Sequence, residues 1–495
     1  MRRQQNMNSI SARFKGRTSA KKDVDMTEGN ILSHIIKFSI PLLLGNLFQQ
    51  LYNTVDTWVV GNYVGDDAFA AVGNIGPIIN LLIGLFLGLS TGASVVISQY
   101  YGAKDEKHVQ DTVHTAIAMT LILSVVFAVV GIALTPLLLK LMKMNAATTP
   151  EATTYLVIYF AGIVGLLIYN MGSGIMRAIG DSRRPFYFLV CSALTNTILD
   201  LVFVIVFRMG VAGVALATVA AQCLSAALVI ITLVRSDGYC KLHLKKLRID
   251  MKCLGQIFRV GIPAALQMAI TSFSNIFVQG YINFFDNPVS TGCMGGWTAY
   301  SKIDQFLLLP MQSIALASTT FVGQNLGVNK VERAKKGVRA SLLVSSIFTV
   351  VLIVPVVVFA EPLVSFFNPT PNVVEHGALF LRLISPFYVF CCINQILSGS
   401  LRGAGDSKAP MIIMLGCFVV FRQIYLFVMT KFFINTPVSV ALGYPAGWML
   451  CSAICYIYFR KSNWEKHRLV KDVGSQAVSE AAAKPDGSEE LPEQG

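Results

Sequence analysis

Long apolar stretches separated by short basic ones dominate the chain, and twelve of them can each cross a bilayer. A membrane helix needs ~20 apolar residues, and runs of that length lie at 33–62, 68–101, 112–140, 151–176, 185–209 and 211–235. A second set lies at 254–285, 293–322, 337–361, 374–401, 409–431 and 436–460. The pattern predicts an all-α polytopic membrane protein of twelve transmembrane helices. They are grouped as a first lobe over 31–235 and a second over 254–460. Residues 1–30 form a polar, basic arm that lacks the apolar core of a secretory signal. The linker at 236–253 is rich in basic residues and suits an amphipathic helix lying on the inner leaflet. Residues 461–495 turn polar and read as a disordered tail.

Charge then orients the spans. Alternate loops carry Lys104 and Lys107, then Arg177, Arg183 and Arg184, then Lys241, Lys245, Lys246 and Arg248. The alternation continues with Lys330, Arg333, Lys335, Lys336 and Arg339, then Arg402 and Lys408, and Arg460 with Lys461 in the tail. The intervening loops carry only Lys140, Lys143, Arg208 and Lys431. Positive loops stay inside, so both termini are expected in the cytoplasm of a cell (plasma or inner) membrane protein. The net charge of +13 is therefore a set of topological anchors, and no nucleic acid partner is expected. Composition agrees: 54% of residues are hydrophobic and 14% charged, against about 25% charged in soluble domains. The ten cysteines form no Cys-x-x-Cys pair, so neither a zinc site nor a disulfide framework is indicated.

The two lobes repeat each other. RAIGDSRRP at Arg177–Pro185 returns as RGAGDSKAP at Arg402–Pro410, and QYYG at Gln99–Gly102 as QNLG at Gln324–Gly327. Ile40-Pro41 with Asn53 matches Ile262-Pro263 with Asn275. Six spans per half make the repeats parallel, related by an axis along the membrane normal, and place a binding site between them near the midplane. The Gly-Asp-Ser elements read as helix stops and hinges. Gly84, Gly88 and Gly92 recur every four residues and read as close helix packing.

Few charges interrupt the spans. Asp56 stands in an otherwise uncharged first span, where an ionised carboxylate costs about 2.5–3.5 kcal/mol on insertion scales. Asp200 stands in the fifth, with Asn196 one turn before it on the same face. Each aspartate lies 15 residues beyond a proline, Pro41 or Pro185. Both should therefore reach a similar depth and make a polar cluster with Asn53 and Asn196 in the first lobe. Two carboxylates sharing a low-dielectric site cannot both ionise freely, which suits a proton-coupled device. The second lobe has Val278, Phe421 and Tyr425 where symmetry would place Asp56, Asn196 and Asp200. It offers instead Lys302, Asp304, Arg382 and Arg422, for structural pairing or for contact with substrate.

Taken together, the twelve spans, the paired RxxGDSxxP and Gln-x-x-Gly elements and the Tyr52-Asn53-Thr54-Val55-Asp56 stretch resemble the multidrug and toxic compound extrusion (MATE) transporters of the MOP flippase superfamily. The likeness spans about 28–460, and Asp56 with Asn196 and Asp200 is similar to the DinF-like and related bacterial or archaeal branch. The resemblance implies an antiporter, not an enzyme. Small organic, often cationic and amphipathic compounds would leave as protons or sodium enter, with no cofactor beyond that ion. It implies Asp56, Asn196, Asp200 and Asn53 as the coupling set, with Na+ at the first three if sodium is the ion. Pro41 would be the hinge of span one. Gln267, Asn275, Lys302, Asp304, Gln395 and Arg422 are the candidates for the substrate cavity, and a monomer in the bilayer is expected. A lipid-linked oligosaccharide flippase of the same superfamily is the alternative. A membrane-embedded enzyme is a remote one, since the six histidines lie scattered at loops and span ends.

Overall fold

The computed structural model describes residues 24–141, 144, 148–285, 292–433 and 436–470. Most of the basic arm, and the tail beyond Val470, lie outside the described residues. Only the backbone of Asn53 and of some neighbours in spans one, two and seven is described. Among the described residues every regular element is a helix. Eleven helices are long and apolar enough to cross a membrane, and a twelfth span is bent by 50° between Thr149–Ala161 and Ile163–Ala178.

Local chemistry accounts for the ends. Span one, Ile31–Tyr63, starts at Asn30, whose side chain accepts the N–H of Ser33 and satisfies one free donor of the first turn. Pro41 lies inside this helix without ending it. In the first Gly-Asp-Ser element, Gly180 takes a φ of +86°, and Asp181 Oδ1 accepts the N–H groups of Arg183 and Arg184 at 3.1 Å. Its counterpart Gly405 takes +95°, and Asp406 Oδ1 accepts the N–H of Ala409 at 3.2 Å. Left-handed backbone stops each helix and the aspartate caps the next. Lys104 and Asn329, again 225 residues apart, are also left-handed, at φ +58° and +59°. The sequence repeat is therefore a backbone repeat.

Burial forms two apolar cores. One is built mainly from spans two to six, the other from spans seven to twelve. Each takes in the start of the other half's first helix: Ile35, Phe38 and Leu42 join the second core, Ile257 and Val260 the first. The halves meet closely near the basic face. A Cβ on Gly88 of span two (Asp66–Gly102) would stand 2.2 Å from the backbone N of Ala265 in span seven (Met251–Phe285). One on Gly92 would stand 2.5 Å from the carbonyl of Ile257. The glycine stripe is inter-half packing, as its spacing suggested.

Two expectations change here. The linker is no amphipathic helix, for only Leu244–Lys246 makes a helical turn, a 3₁₀ one. Its polar groups bond to span three instead, with His243 N–H donating to His114 Nε2 and Asp250 N–H to Thr115 Oγ1. The start of the tail is packed, with Trp464, Leu469 and Val470 buried. The end of the basic arm is packed too. Met26 N–H donates to Gln324 Oε1, and Arg333 and Asn325 donate to the Met26 carbonyl.

Candidate functional site

Span one and the start of span five, Arg183–Leu201, bring the predicted acids together. Asp56 and Asp200 interact side chain to side chain. Both are buried, Asp56 9% and Asp200 0% exposed, with Asn196 at 2%. Asp56 Oδ1, both Asp200 oxygens, and both polar side-chain atoms of Asn196 have no hydrogen-bond partner. Five orphaned polar atoms in one apolar lobe are costly unless the cluster holds something. Its oxygens are the kind that bind protons or a hard cation. Among the described residues no group of three or more His, Cys, Asp or Glu is placed to hold a metal ion. Asn53 lies one turn before Asp56, and its side chain is outside the described residues.

The surroundings include residues that sequence reasoning missed. Tyr52, one turn before Asp56 on span one, and Tyr155 of span four both lie near Asp56. Tyr155 stacks with Tyr159, ring centroids 6.1 Å apart. Their i, i+4 spacing in span four was the available signal: two polar-tipped rings on one helix face. Directly after Asp200 the helix widens into a π-turn at Val202–Val206, a distortion common at functional sites.

The second lobe differs. Val278, at the position matching Asp56, is fully buried and apolar. Asp304 accepts a hydrogen bond from Tyr388, whose hydroxyl lies 3.4 Å from that of Tyr300. Lys302, two residues earlier, is exposed on another side of the helix. Gln395 is half-buried. Gln267 is buried, donates to the Met414 sulfur at 2.8 Å and accepts from Arg402. It braces the interior of the second lobe. Arg382 pairs with Glu361 at 3.0 Å, with both side chains about half exposed. That is a surface ion pair, not an interior contact. Arg422 is 3% exposed and bonds to Ser274 and Asn275.

Exposed polar side chains line one face of span seven beyond its inter-half contacts: Ser272, Asn275, Gln279 and Asn283. Thr298, Lys302 and Gln305 do the same on span eight, Cys293–Gly327. Such stripes on membrane helices face water or a solute path. The opposite, basic end is shut by the paired motifs. Gln99 Nε2 donates to the Gly403 carbonyl at 2.9 Å, and Gln324 Nε2 to the Ala178 carbonyl at 2.9 Å. Each amide oxygen accepts a terminal segment, Leu469 N–H on Gln99 and Met26 N–H on Gln324.

Known proteins with this arrangement are numerous. A family model described as MatE matches residues 41–202 and 263–428. A relative named probable multidrug resistance protein YpnP, from Bacillus subtilis, is 29% identical over 448 residues, 90% of this chain and 99% of its own. Another, the probable multidrug resistance protein NorM of Thermotoga maritima, is 26% identical over 90% of this chain and 96% of its own. A solved structure described as the outward-facing conformation of a multidrug resistance MATE family transporter of the MOP superfamily superposes with a TM-score of 0.83. It is 23% identical and covers 89% of this chain and 97% of its own. The chain belongs to the MATE family of membrane transporters.

Proposed function

We propose that the protein is a secondary multidrug efflux transporter. It would exchange amphipathic organic compounds for protons or sodium by alternating access between its halves. The observation that carries this reading is the buried Asp56–Asn196–Asp200 cluster, with its five unpartnered polar atoms and no acidic equivalent in the second lobe. Two facing carboxylates in one low-dielectric site cannot both stay charged without a proton or cation between them. Occupancy of the cluster would therefore control the charge of the first lobe. Pro41 already removes one backbone bond from span one, so that helix is the element most easily bent by the change. The names of the relatives, multidrug resistance proteins, support the efflux reading.

The closed basic face and the polar stripes beyond it correspond to a state open to the outside, if the basic loops face the cytoplasm. A flippase of pyrophosphate-linked sugars would need several cations in its cavity, and of the three interior candidates, Lys302, Arg382 and Arg422, Arg382 is engaged by Glu361, which weakens that alternative.

Proteoliposomes with imposed gradients test the proposal. A proton or sodium gradient should drive efflux of a cationic dye by the native chain, and Asp56→Asn should abolish the coupled component while inserting normally. Coupled efflux at the native rate by Asp56→Asn would overturn it. A requirement for sodium at every pH would keep the site and name its ion.

A further inference from the structure

Arg422 stands where span eleven leaves a π-helical turn, Gly416–Phe421, and the same turn organises its neighbours. The Ser274 hydroxyl donates to the carbonyl of Phe418 at 2.6 Å, which leaves its oxygen lone pairs facing the guanidinium. Arg422 Nη2 donates to that oxygen at 2.6 Å and to Asn275 Oδ1 at 2.9 Å. The guanidinium carbon lies 4.8 Å from the centre of the Tyr444 ring, and the Tyr444 hydroxyl donates to the same Asn275 oxygen at 3.3 Å. The group is thus held in one orientation by a hydroxyl, an amide and an aromatic face.

What it lacks is charge balance. Arg422 is 3% exposed, its Nε is buried with no hydrogen-bond partner, and among the described residues no carboxylate lies within 4.0 Å. A buried cation without a counter-anion is strongly disfavoured, and a guanidinium fork matches a carboxylate or phosphate. Its partner Asn275 belongs to the exposed polar stripe of span seven, so the site adjoins the path between the halves. The corresponding part of the first lobe holds the acids.

We propose that Arg422, with Asn275 and Tyr444, is the subsite for the anionic group, a carboxylate or phosphate, of an amphipathic substrate. This rests on the reading that the cleft between the halves is the transport path. Substrates that place a cationic end toward the acids and an anionic end at Arg422 would span both lobes. The set transported would then extend beyond simple cations to zwitterions and anions.

Equilibrium binding tests the subsite without requiring coupling, so its failure is distinguishable from failure of the efflux proposal. Fluorescein, an anionic xanthene, and rhodamine 6G, a cationic one, share a ring system and differ in charge. Their anisotropy would be measured against the full-length protein in phosphatidylcholine nanodiscs. Arg422→Gln should weaken fluorescein binding by roughly tenfold or more and leave rhodamine 6G within twofold. Arg422→Lys should restore part of the loss. Adding phosphatidylglycerol to the nanodiscs separates the sources of the anion. Competition with fluorescein that disappears in Arg422→Gln would assign the subsite to a lipid headgroup, and no competition would assign it to a solute. Unchanged fluorescein binding in Arg422→Gln overturns the proposal. So does an equal loss of both dyes in Arg422→Gln and Arg422→Lys, which would mark a structural arginine.

Discussion

Asp200 carries the sharpest conflict in the molecule. Its carboxyl is fully buried, faces another carboxyl, and has neither oxygen bonded. An amide of the same shape would relieve the like charge and supply a donor to Asp56. Hydrogen bonds to charged groups contribute about 1.5–3 kcal/mol. Asp200→Asn is therefore expected to raise the thermal midpoint of the purified protein by a few degrees while abolishing coupled efflux. That is the trade of stability against activity common at functional sites. A lower midpoint with retained efflux would show that Asp200 serves the fold alone. The acids were legible because a charge in an apolar span is conspicuous. Tyr155 was not, because a tyrosine fits an apolar helix as readily as a phenylalanine does, and only the fold brings it near Asp56. Gln267 shows a related ambiguity. A polar side chain in a span can turn to a cavity or to an interior partner, and Arg402, 135 residues away, supplied the partner.

Among the elements, spans two and seven set how closely the halves approach. Gly76 and Gly88 both lie within span two, but a Cβ on Gly76 would meet nothing within 4 Å, whereas one on Gly88 would strike the backbone of Ala265. Alanine in place of glycine in a helix gains about 1 kcal/mol of intrinsic propensity, while overpacking costs about 1–3 kcal/mol. The two substitutions should thus have opposite signs: Gly76→Ala raises the melting temperature and Gly88→Ala lowers it. A fall of equal size for both would remove the close approach as the explanation. The spans themselves were readable in the sequence to within a few residues, because length and apolarity suffice for them. The bend within span four and the π-turns after Asp200 and before Arg422 were not. They depend on neighbours, as when Gly162 gives way to Val219. The linker went the other way. Its basic composition suggested a helix on the membrane surface, but His114 and Thr115 of span three offered its backbone better partners.

Across the whole molecule, two glutamines related by the internal repeat hold the basic face shut. Each loses two hydrogen bonds when replaced by alanine, at about 0.5–1.5 kcal/mol apiece. Gln99→Ala or Gln324→Ala should therefore shift the balance toward opening at that face by roughly fivefold to a hundredfold. Ser94 and Thr320 line a small cavity between the halves beside Arg177. A cysteine placed at Ser94, in a background without the exposed Cys191 and Cys223, should react faster with a membrane-impermeant maleimide added from the basic side. Unaltered labelling would mean that the glutamines do not hold the gate. This closure also sets an order of events in biosynthesis. Met26 waits for Gln324, 298 residues later, and Gln99 waits for Leu469, 370 residues later. At ~5–20 residues per second, the ribosome needs from about a quarter of a minute to over a minute to supply each partner. For that time the basic ends lack these two fastenings. A nascent chain consequently gains its last latch only as synthesis ends, and a ribosome stalled before Leu469 would leave the Gln99 amide oxygen without its partner at the basic face.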